Sequence, residues 1–286
     1  MNVFIYPNLN KRNCLLYTNQ AYSILSSEKV NILMSDEYSE VFKENNIRFG
    51  NTEELVSLCD VIVVIGGDGT ILRCSSVASK YDKPILGLNC GTLGFMASLE
   101  YNEIEKLRQL CLGEYTVSER MMMNVTVNKA DGTVITSDVL NDVVLMRGEN
   151  CKIADFEVRK SGSIISALRA DGVIFSTATG ASAYSLSAGG PIIEPDMKCI
   201  EFSQICAHSL FSRTIVFSPD SELTIKSVCP DETYVIVTAD GNVLSKVNAQ
   251  DTVEICRSEL TTKIIDLTGG SFFPTVNRKL MTPLKQ

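Results

Sequence analysis

The chain of 286 residues has no tryptophan, one histidine (His208) and no C-x-x-C pair among its ten cysteines. A single histidine argues against a serine-protease-like triad and against a histidine-rich metal site, and the scattered cysteines lack the tight spacing of a metal cluster. Several cysteines, such as Cys59, Cys206 and Cys256, lie within apolar runs. They are typical of reduced, buried thiols in a cytoplasmic protein.

Positive charge is also scarce, because 26 Lys and Arg face 34 Asp and Glu, which gives a net charge of -8. Such a chain lacks a general nucleic-acid-binding surface, although a local basic pocket for phosphates remains compatible with it. No apolar run approaches the roughly 18 residues of a membrane span. The start, MNVFIYPNLNKRN, puts no basic segment before a long apolar one, so it predicts a strand rather than a signal peptide. We therefore expect neither nucleic acid nor a membrane as partner.

The N-terminal part of the chain alternates between apolar runs and amphipathic segments. The predicted strands are 3–6, 30–34, 60–65 and 84–89, and the predicted helices are 13–26, 36–44, 71–80 and 101–113. Near-continuous apolar strands separated by helices are typical of a parallel sheet covered on both faces. Since the length allows two domains, residues 1–115 are predicted to form an α/β nucleotide-binding domain.

After Glu114 the helical periodicity fades, and short strands with turn signals replace it. Ala130-Asp131-Gly132 and Ser161-Gly162 each separate two apolar runs, which predicts hairpins. The other predicted elements are strands at 223–227, 234–239 and 252–256 and one helix near 181–188. Residues 116–262 are therefore predicted to form an all-β, mainly antiparallel domain, with a tail, 263–286, that packs back on the N-terminal domain.

The stretch DVIVVIGGDGTILR (residues 60–73) combines an apolar strand, a glycine turn and the start of a helix. In open α/β sheets, ligands bind beyond the carboxyl ends of the strands, which is where Gly66–Thr70 lie. The glycines let a phosphate approach peptide N–H groups, although the turn is neither a Walker P-loop nor a G-x-G-x-x-G motif. A carboxylate there would repel an anion, so Asp68 is interpreted as a metal ligand or as a base that takes a proton from an attacking hydroxyl. A sharp turn without chemistry is the alternative.

G-G-D-G-T at residues 66–70 resembles the signature shared by NAD kinases, diacylglycerol and sphingosine kinases, and 6-phosphofructokinases. The T-I-L-R that overlaps its end is similar to the NAD kinase version. Further segments resemble the NAD kinase family in the family's order, and the longest of them is improbable by chance. They are N-C-G-T-L-G-F (89–95), N-D (141–142), R-A-D-G-V-I-F-S-T-A-T-G-A-S-A-Y-S-L-S-A-G-G-P (169–191), I-C-A-H-S-L (205–210) and D-G-N (240–242).

These segments also have purely structural interpretations. The polar pair Asn141-Asp142 within an apolar strand fits a β-bulge or an edge turn, and D-G-N fits a hairpin turn. His208 is equally well explained as a hydrogen-bonded structural histidine. Arg73 and Lys152 are placed to contact phosphate or substrate, and a surface charge is the competing interpretation of each.

The chain departs from the family pattern at several positions. Ala178 and Ala181 stand where the family has proline and serine, and Ala207 and Thr214 stand where it has prolines. Ser182 replaces a threonine and keeps its hydroxyl. Loss of a proline loosens a turn without removing a donor, so we expect these changes to affect substrate affinity rather than the reaction.

The resemblance implies a two-domain fold, with an α/β N-terminal domain on a parallel sheet and a mainly antiparallel β C-terminal domain. It implies an NAD kinase that phosphorylates the 2′-hydroxyl of the adenosine ribose of NAD with ATP or polyphosphate, giving NADP. Asp68 would deprotonate or orient that hydroxyl, and a divalent cation, Mg²⁺, would bridge the nucleotide phosphates. No residue is assigned as a metal ligand. A cytoplasmic homodimer or homotetramer is expected.

The resemblance also implies the residues that bind substrate and nucleotide. They are Gly66, Gly67, Gly69, Thr70, Arg73, Phe95, Asn141, Asp142, Lys152, Arg169, Asp171, Thr179, Ser182, Ala183, Tyr184, Ser187, His208 and Asn242. Among them Tyr184 would stack on adenine, and the hydroxyl-rich start of the predicted helix would offer free amides to an anion or a base edge.

Two other function classes remain open on the sequence alone. One is a different G-G-D-G-T kinase that acts on a lipid or a sugar phosphate. The acidic net charge argues against a lipid kinase, and the single histidine gives little support to a sugar-phosphate kinase. The other is a non-catalytic dinucleotide sensor, for which the substitutions at the family positions are the only support. Intact Asp68, Asn141 and Asp171 weigh against a sensor, because binding alone needs no base.

Overall fold

The computed structural model describes residues 1–91, 94–149, 152–209, 212–228, 234–269 and 272–281. The chain forms two compact units, of which unit 1 comprises residues 1–119 and 262–286, and unit 2 comprises Arg120–Thr261. The C-terminal residues thus fold with the N-terminal ones. Over the described ranges, no helix has the length and apolar character needed to cross a membrane.

Unit 1 is built on a parallel sheet. Its strands are β1 (Asn2–Pro7), β2 (Asn31–Ser35), β3 (Ile47–Gly50), β4 (Val61–Gly66), β5 (Ile85–Asn89) and β6 (Leu99–Glu100). Its first four helices are α1 (Cys14–Ser27), α2 (Thr52–Leu58), α3 (Asp68–Lys80) and α4 (Leu107–Leu112). The strand order is β3-β2-β1-β4-β5, every pairing is parallel, and β6 adds to β5. The prediction of an α/β domain on a parallel sheet is confirmed.

The core of unit 1 lies between the sheet and its helices. Val3, Ile5 and Val63 from the strands share one buried cluster with Ala21 and Leu25 of α1. All six residues of β4 are buried, as a near-continuous apolar run predicts for a central parallel strand.

The helix predicted over 36–44 is wrong, because only Asp36–Tyr38 form a 3₁₀ turn. Of its apolar side chains Phe42 is buried, Tyr38 packs on the core while only partly buried, and Val41 is exposed, so the segment lacks the wide buried stripe that stabilises a helix. The sequence prediction also missed β3 and α2. Asn51 caps α2, since its side-chain oxygen accepts the N–H of Glu53 at 2.9 Å, and an Asn followed by acidic residues is the signal that marks this start.

The helix predicted over 101–113 is confirmed in part. It starts as a 3₁₀ helix over Tyr101–Lys106 and continues as α4. Gly113 ends it with a φ of +75°, which is the left-handed conformation that glycine adopts at helix ends.

Unit 2 is mainly antiparallel β, as predicted. Its strands are β7 (Thr116–Asn128), β8 (Val134–Val139), β9 (Asp142–Arg147), β10 (Ala154–Lys160), β11 (Ser163–Ala170), β12 (Gly172–Thr177), β13 (Ile200–Ile205), β14 (Ile215–Phe217), β15 (Leu223–Ser227), β16 (Val235–Ala239), β17 (Asn242–Val247) and β18 (Thr252–Asp266). β7 begins in unit 1, and β18 ends there. One sheet has the order β14-β13-β12-β9-β16-β17, and every pairing in it is antiparallel.

The predicted hairpins of unit 2 are confirmed. Ser161 and Gly162 join β10 to β11 with φ angles of +48° and +83°, which fit the type I′ turn of a two-residue hairpin. The main core of the unit lies between its strands and includes Phe175 and Phe202, whose rings stack with centroids 5.1 Å apart.

The cap of α2 gives a test of the fold. Replacing Asn51 with alanine should lower the free energy of unfolding by about 1 kcal/mol, because the first amides of α2 lose their acceptor. Urea titration followed by circular dichroism measures it, with the exposed neighbour Asn45→Ala as control. Equal unfolding midpoints for the two variants would contradict the assignment of the cap.

Candidate functional site

The G-G-D-G-T turn lies at the end of β4, and the helix after it starts earlier than predicted. α3 begins at Asp68 rather than at residue 71, so the aspartate is the first helical residue and Gly67 precedes it. Thr70 closes the turn, because its Oγ1 accepts the N–H of Gly67 at 3.5 Å, and it also accepts an N–H of the Asn8 side chain at 3.2 Å. A Cβ on Gly66 would lie 2.4 Å from Thr70 Oγ1, so only glycine allows this closure.

The carboxylate of Asp68 binds the backbone of the second glycine turn. Oδ2 accepts the N–H of Phe95 at 2.7 Å, and Oδ1 accepts the N–H of Met96 at 3.1 Å. A Cβ on Gly94 would lie 2.2 Å from Asp68 Oδ1, so the backbone of the second turn lies directly against the carboxylate. The two turns meet because β4 and β5 are parallel neighbours. The amides fix the direction of the carboxylate, which a positioned base requires.

Sequence reasoning missed a lysine at this turn. Lys11 follows β1, which pairs in parallel with β4 up to Ile65. Its Nζ lies 2.4 Å from the position that a Cβ on Gly67 would take. The carboxyl ends of neighbouring parallel strands lie at the same edge of the sheet. A basic residue that follows the first strand could therefore have been predicted to lie near the glycine turn.

Three other predicted residues of unit 1 are placed as follows. Arg73 and Gly69 are exposed on the first turns of α3. The half-buried Phe95 ring contacts the ring of Phe272, with the two centroids 6.3 Å apart. Phe272 begins a short C-terminal helix, α5 (Phe272–Val276). Thr92 and Leu93 of the second glycine turn lie outside the described residues. A nucleotide-lining role for Phe95 stays a prediction.

In unit 2, Asn141 directly precedes β9 and Asp142 is its first residue, so the pair lies at the start of the strand and not inside it, contrary to the sequence interpretation. Asp240 holds this turn. Its carboxylate accepts the N–H groups of Leu140 at 2.9 Å, of Asn141 at 2.8 Å and of Asp142 at 3.2 Å. Asp240 and Gly241, with φ angles of +48° and +78°, form the β16–β17 hairpin turn. The D-G-N segment is thus a hairpin turn whose aspartate also organises the site.

The surroundings of Asp142 raise the pKa of its carboxyl group. Only 7% of it is exposed, and burial, together with the neighbouring charge of Asp240, raises the pKa of Asp142 to about 7. Burial also raises the pKa of Asp240, and its three backbone N–H donors oppose that rise. The pair therefore shares less than two full negative charges at physiological pH.

Two buried polar atoms next to this turn, Asn141 Oδ1 and Thr179 Oγ1, have no hydrogen-bond partner among the residues that the structure describes. The turn after β12 packs on the Asn141 backbone, since a Cβ on Gly180 would lie 2.1 Å from Asn141 O. The N–H of Thr177 also donates to that oxygen, at 2.9 Å. An unsatisfied buried polar atom costs about 1–3 kcal/mol, so this corner of unit 2 is suited to a ligand that supplies the missing partners.

The helix predicted near 181–188 is wrong in length. Gly180–Ser182 form a 3₁₀ turn, and Tyr184–Ser187 form a single helical turn. Ala183, with φ -100° and ψ -121°, breaks the helix between them. One turn does not build the macrodipole of a longer helix, so the expected anion-binding helix start is replaced by a compact turn. Within it, Ser182 Oγ donates to Thr179 O at 3.2 Å.

Tyr184 and Ser187, both predicted to bind the nucleotide, are exposed. Tyr184 is 40% exposed, so part of this residue is accessible to a ligand. Ser185, between them, is fully buried.

Other predicted residues of unit 2 form ion pairs. Arg169 binds Asp155 through two hydrogen bonds of 2.8 and 2.9 Å, and Asp171 pairs with Arg147 at 3.2 Å. Arg147 was absent from the sequence prediction. The structure thus brings Asp171 to Arg147 rather than to Arg169, and substrate contacts for Arg169 and Asp171 stay predictions.

The remaining predicted residues lie at the surface. His208 is exposed, and its backbone N–H donates to Arg169 O at 2.8 Å. Lys152 and Asn242 are exposed as well, and Leu210 lies outside the described residues. Among the described residues, no group of three or more His, Cys, Asp and Glu side chains is arranged to hold a metal ion.

Comparisons with known proteins agree on one family. Residues 3–115 match the model of the ATP-NAD kinase N-terminal domain, and residues 140–267 match that of the ATP-NAD kinase C-terminal domain. The NAD kinase of Geobacter metallireducens is 37% identical over 230 residues, 80% of this chain and 81% of that protein. The NAD kinase of Natranaerobius thermophilus is 31% identical over 280 residues, 98% of this chain and 97% of that protein.

Two solved structures share the fold. Yeast NADH kinase complexed with NADH has a TM-score of 0.89 at 24% identity and covers 100% of this chain and 90% of that chain. An NAD kinase from Archaeoglobus fulgidus in complex with ATP has a TM-score of 0.72 at 22% identity and covers 98% of both chains.

The raised pKa of Asp142 predicts a pH-dependent stability. Below the ordinary value of 3.8 the group is protonated in both states, and between 3.8 and about 7 the folded state binds more protons. Stability should therefore fall by about 2 kcal/mol from pH 5 to pH 8 through this group, and Asp142→Asn should remove the fall. Urea unfolding at both pH values measures it.

The control for this titration is Asp220→Asn, which changes an exposed carboxylate of the same unit. It should keep the pH dependence of the wild type. A wild-type pH dependence that persists in Asp142→Asn would show that Asp142 ionises normally.

Proposed function

Since the chain belongs to the NAD kinase family, we infer that it transfers the γ-phosphoryl group of ATP to the 2′-hydroxyl of the adenosine ribose of NAD and so makes NADP. The observation that carries this inference is the match of both domain models, in order, over residues 3–115 and 140–267. Family membership argues against a lipid or sugar-phosphate kinase. An assay of NADP formation by the wild type and by Asp68→Asn tests the alternative of a non-catalytic dinucleotide sensor.

We propose that Asp68 deprotonates or orients the attacking 2′-hydroxyl. In support, Phe95 and Met96 donate N–H groups to the carboxylate and fix its direction. Phosphoryl transfer depends largely on positioning and electrostatic stabilisation, so a carboxylate held by two backbone amides is suited to align a hydroxyl.

The donor phosphates are proposed to bind at the Gly66–Thr70 turn. The turn opens α3, a helix of 13 residues, and free amides and the helix dipole favour anions at such a terminus. Lys11 adds a positive charge over Gly67. Arg73 and Lys152 are also proposed to contact phosphate or substrate.

Mg²⁺ is proposed to accompany ATP. Mg²⁺ in phosphoryl-transfer sites is held by substrate phosphates and one or two carboxylates rather than by an all-protein cage. The described residues fit this pattern, since they include Asp68 at the turn and no cluster of three ligands. When bound, the ion would neutralise charge on the phosphates.

The adenosine part of NAD is proposed to bind in unit 2. Asn141 Oδ1 can only accept a hydrogen bond, whereas Thr179 Oγ1 can donate or accept, and the ribose hydroxyls and the adenine amino group of NAD supply matching partners. Tyr184 is proposed to stack on adenine. The other proposed contacts are Asp142, Arg169, Asp171, Ser182, Ala183, Ser187, His208 and Asn242.

The enzyme is further proposed to be a cytoplasmic homodimer or homotetramer, with polyphosphate as a possible second donor. Eight described cysteines are free thiols, and most of them are buried, which is typical of a reducing compartment. Family resemblance is the support for the oligomer.

The role of Asp68 gives the first test of function. The wild type should form NADP from NAD, ATP and Mg²⁺, and Asp68→Asn should lose about 10²–10⁴-fold in kcat, because the base is gone. An enzyme-coupled NADP assay measures both, with Asp36→Asn, an exposed acid of unit 1, as control. NAD binding by the wild type without turnover under any donor would favour a sensor, and full activity in Asp68→Asn would remove its assigned role.

A matched pair of glycines separates orientation of the carboxylate from its chemistry. Gly94→Ala places a Cβ 2.2 Å from Asp68 Oδ1, whereas a Cβ on Gly91 meets no atom of the described residues within 4 Å. Displacing a positioned group costs up to about 10²-fold in rate. Gly94→Ala should therefore lose kcat while Gly91→Ala keeps it, and equal activities would show that the contact is dispensable.

Lys11 is tested through the KM for ATP. Lys11→Ala should raise the KM for ATP about tenfold, because the loss of a charge-assisted hydrogen bond costs about 1.4 kcal/mol. Lys11→Arg should retain most of the affinity. The neighbouring Arg12→Ala serves as control, and an unchanged KM for ATP in Lys11→Ala would place the phosphates elsewhere.

A further inference from the structure

A buried glutamate in unit 2 lies outside every motif described above. Glu201 belongs to β13, and none of its surface is exposed. Its neighbours Ile200 and Phe202 point into the main core of the unit. Because side chains alternate along a strand, Glu201 faces the other side of the sheet, together with Ser203.

The partners of this carboxylate are hydroxyl groups. Ser176 Oγ donates to Oε2 at 2.9 Å, Ser203 Oγ donates to Oε1 at 2.9 Å, and Ser185 Oγ also donates to Oε1. All three serines are fully buried. Within the described ranges no lysine, arginine or histidine forms a salt bridge with Glu201. A buried carboxylate is costly without partners, so these hydroxyls are the groups that stabilise it.

One of these three contacts, that of Ser185, lies in the turn predicted to bind adenosine. Ser185 lies in the helical turn Tyr184–Ser187, between the two exposed residues of that turn. A Cβ on Gly190 would lie 2.2 Å from Glu201 Oε1 and 2.4 Å from Ser185 Oγ. The carboxylate thus contacts both the helical turn and the glycine turn that follows it.

We propose that Glu201 is a positioning residue for NAD, which acts through Ser185 to hold residues 184–190 in place. This inference rests on the proposed function of that segment. Glu201 touches no substrate itself. It fixes Ser185 against the sheet, and Tyr184 and Ser187 on either side are thereby held facing outward, where a nucleotide can contact them.

Steady-state kinetics on the full chain test the proposal. Glu201→Ala should raise the KM for NAD about tenfold and leave the KM for ATP unchanged. Glu201→Gln keeps the volume and one acceptor oxygen, so it should recover most of the affinity. Ser185→Ala should resemble Glu201→Ala, and the double variant should be no worse than either single one, because both remove the same contact.

The matched control is Asp251→Asn. Asp251 is also a buried carboxylate of unit 2, and it accepts backbone N–H groups of Ala130 and Asn248 at 2.9 Å. Its loss should lower stability without changing the KM for NAD. Equal changes in both KM values for Glu201→Ala, or additive effects in the double variant, would overturn the proposal.

Hydrogen exchange with mass spectrometry separates this proposal from the function it rests on. Amides of residues 185–190 should exchange faster in Glu201→Ala than in the wild type or in Asp251→Asn, whether or not NADP is formed. A wild type without NADP formation would refute the proposed function alone. Unchanged exchange over 185–190 in Glu201→Ala would refute the positioning role.

Discussion

Both units depend on one kind of interaction, in which a carboxylate binds backbone N–H groups of a different turn. The carboxylate of Asp68 accepts hydrogen bonds from two N–H groups of the second glycine turn. The carboxylate of Asp240 accepts hydrogen bonds from the three N–H groups at the start of β9. Hydrogen bonds to an ionised acceptor are about twice as strong as neutral ones. Each aspartate therefore fixes the backbone that carries other proposed site residues, and its loss would disturb more than its own chemistry.

The parts of the fold that sequence predicted correctly are those with local signals. The sequence of β4 is a continuous apolar run because the strand is buried on both faces. The hairpin turn at 161–162 needs positive φ angles, and its glycine adopts them readily. The helices over 36–44 and 181–188 failed for physical reasons. The segment 36–44 has one fully buried apolar side chain, that of Phe42. The segment 181–188 is interrupted at Ala183, whose φ and ψ angles are not helical.

The residues whose roles sequence reasoning missed act through contacts between distant segments. Lys11 reaches the Gly67 turn because β1 and β4 are parallel neighbours. Asp240 holds residues a hundred positions earlier, at the start of a neighbouring strand. Glu201 gives no local signal, since an acid within an apolar strand is also compatible with an exposed edge. Such partners follow from strand order, which spacing along the chain does not specify.

The acidic charge of the chain is compatible with nucleotide binding because each carboxylate of the site is compensated locally. Backbone amides compensate Asp68, and hydroxyl groups compensate Glu201. Asp142 is compensated by a proton, since its pKa of about 7 leaves it partly neutral. Charges at contact distance outweigh charges that lie beyond a Debye length of about 8 Å in physiological salt. A polyanionic substrate therefore responds to the amides and the lysine at the turn more than to the net charge of -8.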